Sequence, residues 1–136
     1  MKIKVWSYEE EYRSIRKKIL KEVDKVFSSG HLILGKNVRT LELNFSRYLK
    51  LKYGIGVNSG TDAIQIALMS AKIGRGDEVI TVPNTAVPTV SAIVSCGAKP
   101  VFVDINEDDY LIDVNKIEKV INKKTKAIIP VNLYGQ

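Results

Sequence analysis

Between positions 7 and 28 apolar residues recur every three or four places. Tyr8, Tyr12, Ile15, Ile19, Val23 and Val26 therefore fall on one side of a 3.6-residue period. The spacing predicts a first helix over 7–28, with Ser7 and Glu10 in the pattern of a capping box at its start. Gly30 and Gly35 in "SSGHLILGK" interrupt the period. A second amphipathic helix is expected over 38–49, where Val38, Leu41, Phe45 and Leu49 share a side.

From Tyr53 onward the pattern changes. The short apolar runs "YGIGV" (53–57), "EVITV" (78–82), "PVFVD" (100–104) and "AIIPV" (127–131) read as strands. Between them, helices are predicted over 61–72, across "VPTVSAIVSC", and over 114–121, the last capped by Asp113; Gly74 and Gly97 end the first two. Continuously apolar strands separated by helices imply parallel strands covered on both faces, an α/β layered architecture. No repeat, low-complexity tract or linker divides the sequence. A single domain over 1–136 is expected, with a helical opening segment over about 1–52. Because "AIIPVNLYGQ" stops just after an apolar strand, a sheet ending there exposes an apolar edge, and the chain is expected to oligomerise or to belong to something larger.

Composition narrows the class. With 136 residues, 45% of them hydrophobic and 26% charged, the chain has an ordinary globular make-up and is long enough to bury a core. Its one cysteine, Cys96 in "SAIVSCGA", excludes a disulfide framework and reads as a small buried residue. No window approaches the roughly 18 apolar residues of a membrane span, and "MKIKVWSYEEEYRS" lacks the apolar centre of a signal peptide. A cytoplasmic location without a membrane partner is expected. The net charge of +6 raises the question of an anionic partner, but Lys17, Lys18, Lys21 and Lys25 lie on the polar side of the first helix. A solvated helix face is the better reading, so no nucleic-acid partner is expected.

The stretch "VNSGTDAIQIAL" carries the chemistry. A strand ending at Val57 and a helix starting near Thr61 place the turn at the carboxyl end of a parallel sheet, where ligands of open α/β folds bind. Gly60 permits close approach of the backbone to a ligand, and the first amides of the helix point outward with the positive end of its dipole. That combination suits a phosphate, with Ser59 and Thr61 as added hydroxyl donors. Ser59 with Asp62 also reads as a simple capping box, and both readings stay open on local pattern. The lysine ending of a nucleotide P-loop is absent, and Gly54, Gly56 and Gly60 do not have dinucleotide-fingerprint spacing.

Other residues invite weaker readings. His31, the single histidine, lacks metal-ligand spacing, so no metal is expected, and an interface role is the alternative. Asp104 ends a strand at the ligand-bearing edge, where capping is the simpler role. "NEDDY" (106–110) reads as a solvated turn, and Trp6 and the tyrosines as core or interface surface.

The ordered series "SGTDA", "GRGDEVI", "GAKPVFVD", "TKAIIPV" and "LYGQ" resembles the amino-terminal part of the pyridoxal phosphate-dependent sugar aminotransferases of the DegT and StrS type. "HLILGKNVRTLELNFSRYL" is similar to the segment before it in the same family, so the resemblance covers nearly the whole chain. It implies fold type I: a partial large domain of the aspartate aminotransferase fold, mainly a parallel sheet with helices on both faces. It further implies pyridoxal phosphate as cofactor, nucleotide-linked keto sugars and glutamate as substrates, and an active site shared across a homodimer. Carried over by position, the amides of Thr61 and Asp62 after Gly60 cradle the cofactor phosphate. Ala86 in "PNTAVPT" stands where many relatives stack an aromatic residue on the pyridine ring, and Asn132 where many have histidine. The resemblance places the Schiff-base lysine and the aspartate that pairs with the ring nitrogen beyond the counterpart of Gln136. No catalytic residue is therefore assigned among the 136, and the chain is expected to be inactive alone unless a complementary carboxyl-terminal chain joins it. The alternative is a non-catalytic oligomerising or binding domain left from a truncated gene.

Overall fold

A computed structural model describes residues 7–136. Trp6, read from sequence as core or interface surface, lies outside the described residues. The chain gathers into two compact units, one ending at Gly56 and one running from Val57 to Gln136.

The first unit carries α1 (Glu9–Ser28) and α2 (Lys36–Tyr48). The capping box expected from Ser7 and Glu10 does not form. Helix α1 starts one residue later than that box requires: Tyr8 is the N-cap and makes no side-chain cap bond, which leaves Ser7 and Glu10 out of register with the cap and third helical positions. Glu9, Glu10 and Glu11 in the first turn instead meet the positive end of the helix dipole. Gly30 at φ +69° and Leu34 at φ +50° bracket the turn between the helices.

The run "YGIGV" (53–57) forms no strand, contrary to the expectation from its apolar pattern. A strand needs a neighbour for its ladder, and among the described residues none lies beside this one. The segment is held by α2 instead: the Gly56 amide donates to Glu42 Oε1 at 2.8 Å. A Cβ at Gly54 would stand 2.6 Å from the Glu42 carbonyl oxygen, so this close approach requires glycine. The stripe of α1 is partly covered, with Ile15, Ile19 and Val26 half-buried, while on the stripe of α2 Leu41 is 62% and Phe45 56% exposed.

The second unit runs α3 (Gly60–Ser70), β1 (Glu78–Thr81), α4 (Val87–Ser95), β2 (Lys99–Phe102), α5 (Val114–Ile117) and β3 (Thr125–Ile128). A single 3₁₀ turn, Glu118–Val120, continues α5, so the predicted helix over 114–121 is regular only in its first half. Asp113 caps it as expected, accepting from the Asn115 amide at 3.0 Å. The three strands form a parallel sheet in the order β2-β1-β3, with Ile80 opposite Val101 and Ile128. β3 ends before Pro130, whose missing N–H cannot extend the ladder.

On one face of the sheet Val79 packs with Leu68 of α3 and Ile93 of α4, joined by Ile73 and Ala98. Ile80, pointing to the opposite face, is as completely buried as Val79. The central strand is therefore covered on both sides, which explains its unbroken apolar sequence. At the amino end of the sheet Glu78 ties the strands together: Asn122 Nδ2 donates to its carboxylate at 2.7 Å and Lys99 Nζ lies 3.5 Å away. Cys96, expected to be buried, is only half-buried, at the end of α4 next to the core, and its Sγ donates to the Gln65 carbonyl at 3.4 Å. Among the described residues no helix is long and apolar enough to cross a membrane.

Candidate cofactor site

Topology brings two helix N-termini to one edge of the sheet. A short turn joins the C-terminus of α3 to the start of β1, and another joins the C-terminus of α4 to the start of β2. The strands being parallel and adjacent, both helices begin at the carboxyl edge, where the strands end. The same edge collects Gly60, the 82–86 loop, Asp104 and Asn132.

At α3, Ser59 is the N-cap in extended backbone, and its Oγ accepts from the Asp62 amide at 3.1 Å. The Ala63 amide donates to the Ser59 carbonyl, closing the first helical turn. The cap half of the Ser59–Asp62 capping box is thus realised, without a return bond from the Asp62 carboxylate to the Ser59 amide among the described residues. It also leaves two adjacent donors, the Gly60 and Thr61 amides, with no protein acceptor among the described residues. Gly60 is exposed, lies outside the left-handed region, and would meet nothing within 4 Å if it carried a Cβ. No strain and no packing contact in this chain therefore calls for glycine there. Two unused amides at the positive end of an eleven-residue helix, beside open space, fit a phosphate.

At α4, Ala86 is the N-cap, with no side-chain cap bond, and Pro88 stands in the first turn. Thr85 precedes it, its amide donating to the Pro83 carbonyl at 2.9 Å, and the hydroxyls of Thr85 and Thr89 lie 2.8 Å apart. Thr85 and Ala86 line a groove of about 570 Å³ that runs along α4, together with Val90, Ser91, Ser95 and Phe102. Beneath this edge, Thr81 Oγ1 donates to the Ile129 carbonyl at 3.0 Å and locks the end of β1 to the chain after β3.

The other sequence candidates separate. Asp104 accepts from the Ile105 amide and its carbonyl accepts from the Asp113 amide, a loop-closing role that matches the simpler reading. Asn132 is exposed beside Pro130, Asn106 and Asp109 in a hollow of about 240 Å³. In the acidic run, Asn106 and Asp109 turn back to accept from the Asp108 and Leu111 amides. His31, in the first unit, is exposed, its Nδ1 3.0 Å from the Ser29 carbonyl. Among the described residues no three histidines, cysteines or carboxylates gather as a metal site. Sequence reasoning missed the Thr85–Thr89 pair, although the i, i+4 spacing of the two threonines in "TAVPT" is the signal that finds it.

Residues 13–136 match the profile of the DegT/DnrJ/EryC1/StrS aminotransferase family. The chain belongs to that family. It is 52% identical over 132 residues to a dTDP-3-amino-3,4,6-trideoxy-alpha-D-glucose transaminase of Micromonospora megalomicea subsp. nigra, covering 97% of this chain and 35% of the relative. Among solved structures, it superposes with a TM-score of 0.90 and 36% identity on DesV of S. venezuelae in complex with a ketimine intermediate, over 96% of this chain and 35% of that one. It also superposes with a TM-score of 0.86 and 38% identity on NtdA of Bacillus subtilis with bound cofactor PMP, over 90% of this chain and 28% of that one. The chain thus spans about a third of the length of the curated relatives it matches. The fold expectation, a partial α/β domain of the pyridoxal phosphate-dependent aminotransferases, holds in this DegT/DnrJ/EryC1/StrS chain.

Proposed function

We propose that the chain is the amino-terminal, cofactor-phosphate-binding part of an aminotransferase that moves an amino group from glutamate to a nucleotide-linked keto sugar in amino-sugar biosynthesis. The observation that carries the reading is the pair of unpartnered amides at Gly60 and Thr61, at the carboxyl edge of a fold shared with sugar aminotransferases. In this reading those amides bind the phosphate of pyridoxal phosphate. The resemblance gives the phosphate to the Thr61 and Asp62 amides; here the Asp62 amide already donates to Ser59 Oγ at 3.1 Å, so Gly60 takes its place beside Thr61. Ala86 lies on the ring side and leaves more room there than a large side chain would. When bound, the cofactor supplies the electron sink for the transfer, while these residues bind and orient it. In this reading the lysine that attaches the cofactor and the aspartate that meets its ring nitrogen come from outside these 136 residues, from a complementary carboxyl-terminal polypeptide.

The test is reconstitution. The chain is combined with a carboxyl-terminal polypeptide of the family that carries the lysine, and amino transfer from glutamate to a nucleotide-linked keto sugar is followed. Turnover that requires both pieces is expected; a stable complex with no pyridoxal phosphate binding would refute the reading. A second reading, a non-catalytic oligomerising or binding domain, draws on the exposed apolar side chains of α2, Leu41 and Phe45. It predicts stable self-association with no affinity for the cofactor.

A further inference from the structure

We infer that the segment 53–56 receives a β-strand from the carboxyl-terminal polypeptide, paired along the edge that carries the Tyr53 and Ile55 amides. The inference rests on the reading above, in which such a polypeptide completes the protein. Gly54 and Gly56, two residues apart, both face Glu42 of α2: a Cβ on the first would stand 2.6 Å from the Glu42 carbonyl oxygen, and one on the second 3.4 Å from its Oε1. Tyr53 and Ile55, beside and between them, are 70% and 77% exposed. That alternation is the two-residue period of a strand. Successive amides of a strand point to opposite edges. The Gly56 amide is taken by Glu42 Oε1 at 2.8 Å, so the Tyr53 and Ile55 amides lie on the other edge.

Among the described residues, the Gly56 amide is the only backbone group of 53–56 with a hydrogen-bond partner. Open N–H and C=O groups in a row, beside two large exposed apolar side chains, form the surface to which another strand adds. The source of that strand follows from the length of the relatives. This chain spans about a third of the relatives it matches, so most of each relative is polypeptide that this chain does not hold. A second copy, paired antiparallel about Ile55, would instead set Gly54 opposite Gly56, and glycines inside a strand weaken it. The strand that fits carries β-branched or aromatic side chains able to cover Tyr53 and Ile55.

The experiment follows backbone amide exchange by nuclear magnetic resonance in the chain alone and with the carboxyl-terminal polypeptide that carries the lysine. In the complex the Tyr53 and Ile55 amides are expected to exchange about tenfold or more slowly than in the free chain, as amides do on entering a ladder. I55P removes one of these donors and should weaken the complex about tenfold or more, while I55V keeps the donor and associates like the wild type. A complex in which both amides exchange as fast as in the free chain overturns the inference, and amino transfer by that complex would leave the functional reading standing. Slowing that appears in the chain alone and grows with its concentration puts a second copy on this edge and overturns the inference too. Failure of the two polypeptides to associate also overturns it, and pyridoxamine phosphate binding by the chain alone then decides the cofactor reading separately. Should I55P fail to fold, exchange in the wild type decides.

Discussion

Replacing Gly60 by alanine separates what the fold needs from what a ligand needs. The new Cβ meets no protein atom within 4 Å, and the backbone there is not left-handed, so neither clash nor strain opposes it. Gly→Ala at a compatible position stabilises by about 0.4–1 kcal/mol, because the unfolded chain loses conformational freedom. The greater helix propensity of alanine acts in the same direction, though less fully at the first helical residue than inside a helix. G60A is therefore expected to unfold at the same or slightly higher denaturant concentration than the wild type, with an unchanged denaturant slope. Its affinity for pyridoxamine phosphate should nevertheless fall about tenfold or more, since that is roughly 1.4 kcal/mol, a modest cost for a methyl group placed where a phosphate approaches two amides. Urea unfolding by circular dichroism and ligand titration by calorimetry measure the two quantities on one sample. A destabilisation beyond about 1 kcal/mol would show that the space at Gly60 is needed by the protein itself. Unchanged affinity in a stable G60A would show that no ligand approaches this amide, and the cofactor reading would lose its main support.

Three further outcomes follow from the same structure. G54A forces a Cβ to 2.6 Å from the Glu42 carbonyl oxygen and should destabilise by about 1–3 kcal/mol in chemical denaturation, in contrast to G60A. S59A removes the acceptor for the Asp62 amide and should cost about 1 kcal/mol, read as a lower denaturation midpoint with the α/β circular dichroism spectrum retained. Glu78 is held below its ordinary value of 4.5, first by the Asn122 amide and then by the Lys99 charge, so its contribution to stability is present above pH 4.5 and is lost as the pH falls through the folded value. Wild type and E78Q should therefore differ in thermal midpoint near neutral pH and converge in acid; a difference that persists at low pH would place its origin outside the charge.

The carboxyl edge was legible because local chemistry determines it. Ser59 as cap of α3 and Asp113 as cap of α5 both act on atoms within three residues of themselves, and their identities suffice to fix those bonds. The burial of Val79 and Ile80 on opposite faces was legible from an unbroken apolar run, because a strand covered on both sides has no position that tolerates polarity.

Where the outcome depends on a distant partner, the sequence by itself was insufficient. "YGIGV" has the pattern of a strand, yet a strand exists only beside another, and among the described residues it finds the Glu42 carboxylate instead of a ladder. The start of α1 moved past Ser7 for a milder reason: several adjacent residues can open a helix, and one step in register unmakes a capping box. Sequence determined the parallel α/β alternation, the caps and the small turn at Gly60, all set by neighbours along the chain. Only the tertiary structure decided the order β2-β1-β3, the commitment of the Asp62 amide that leaves those of Gly60 and Thr61 open, and the burial of the Thr89 hydroxyl against Thr85. These depend on which groups find partners in space, and burial decides which unpaired donors the protein can tolerate.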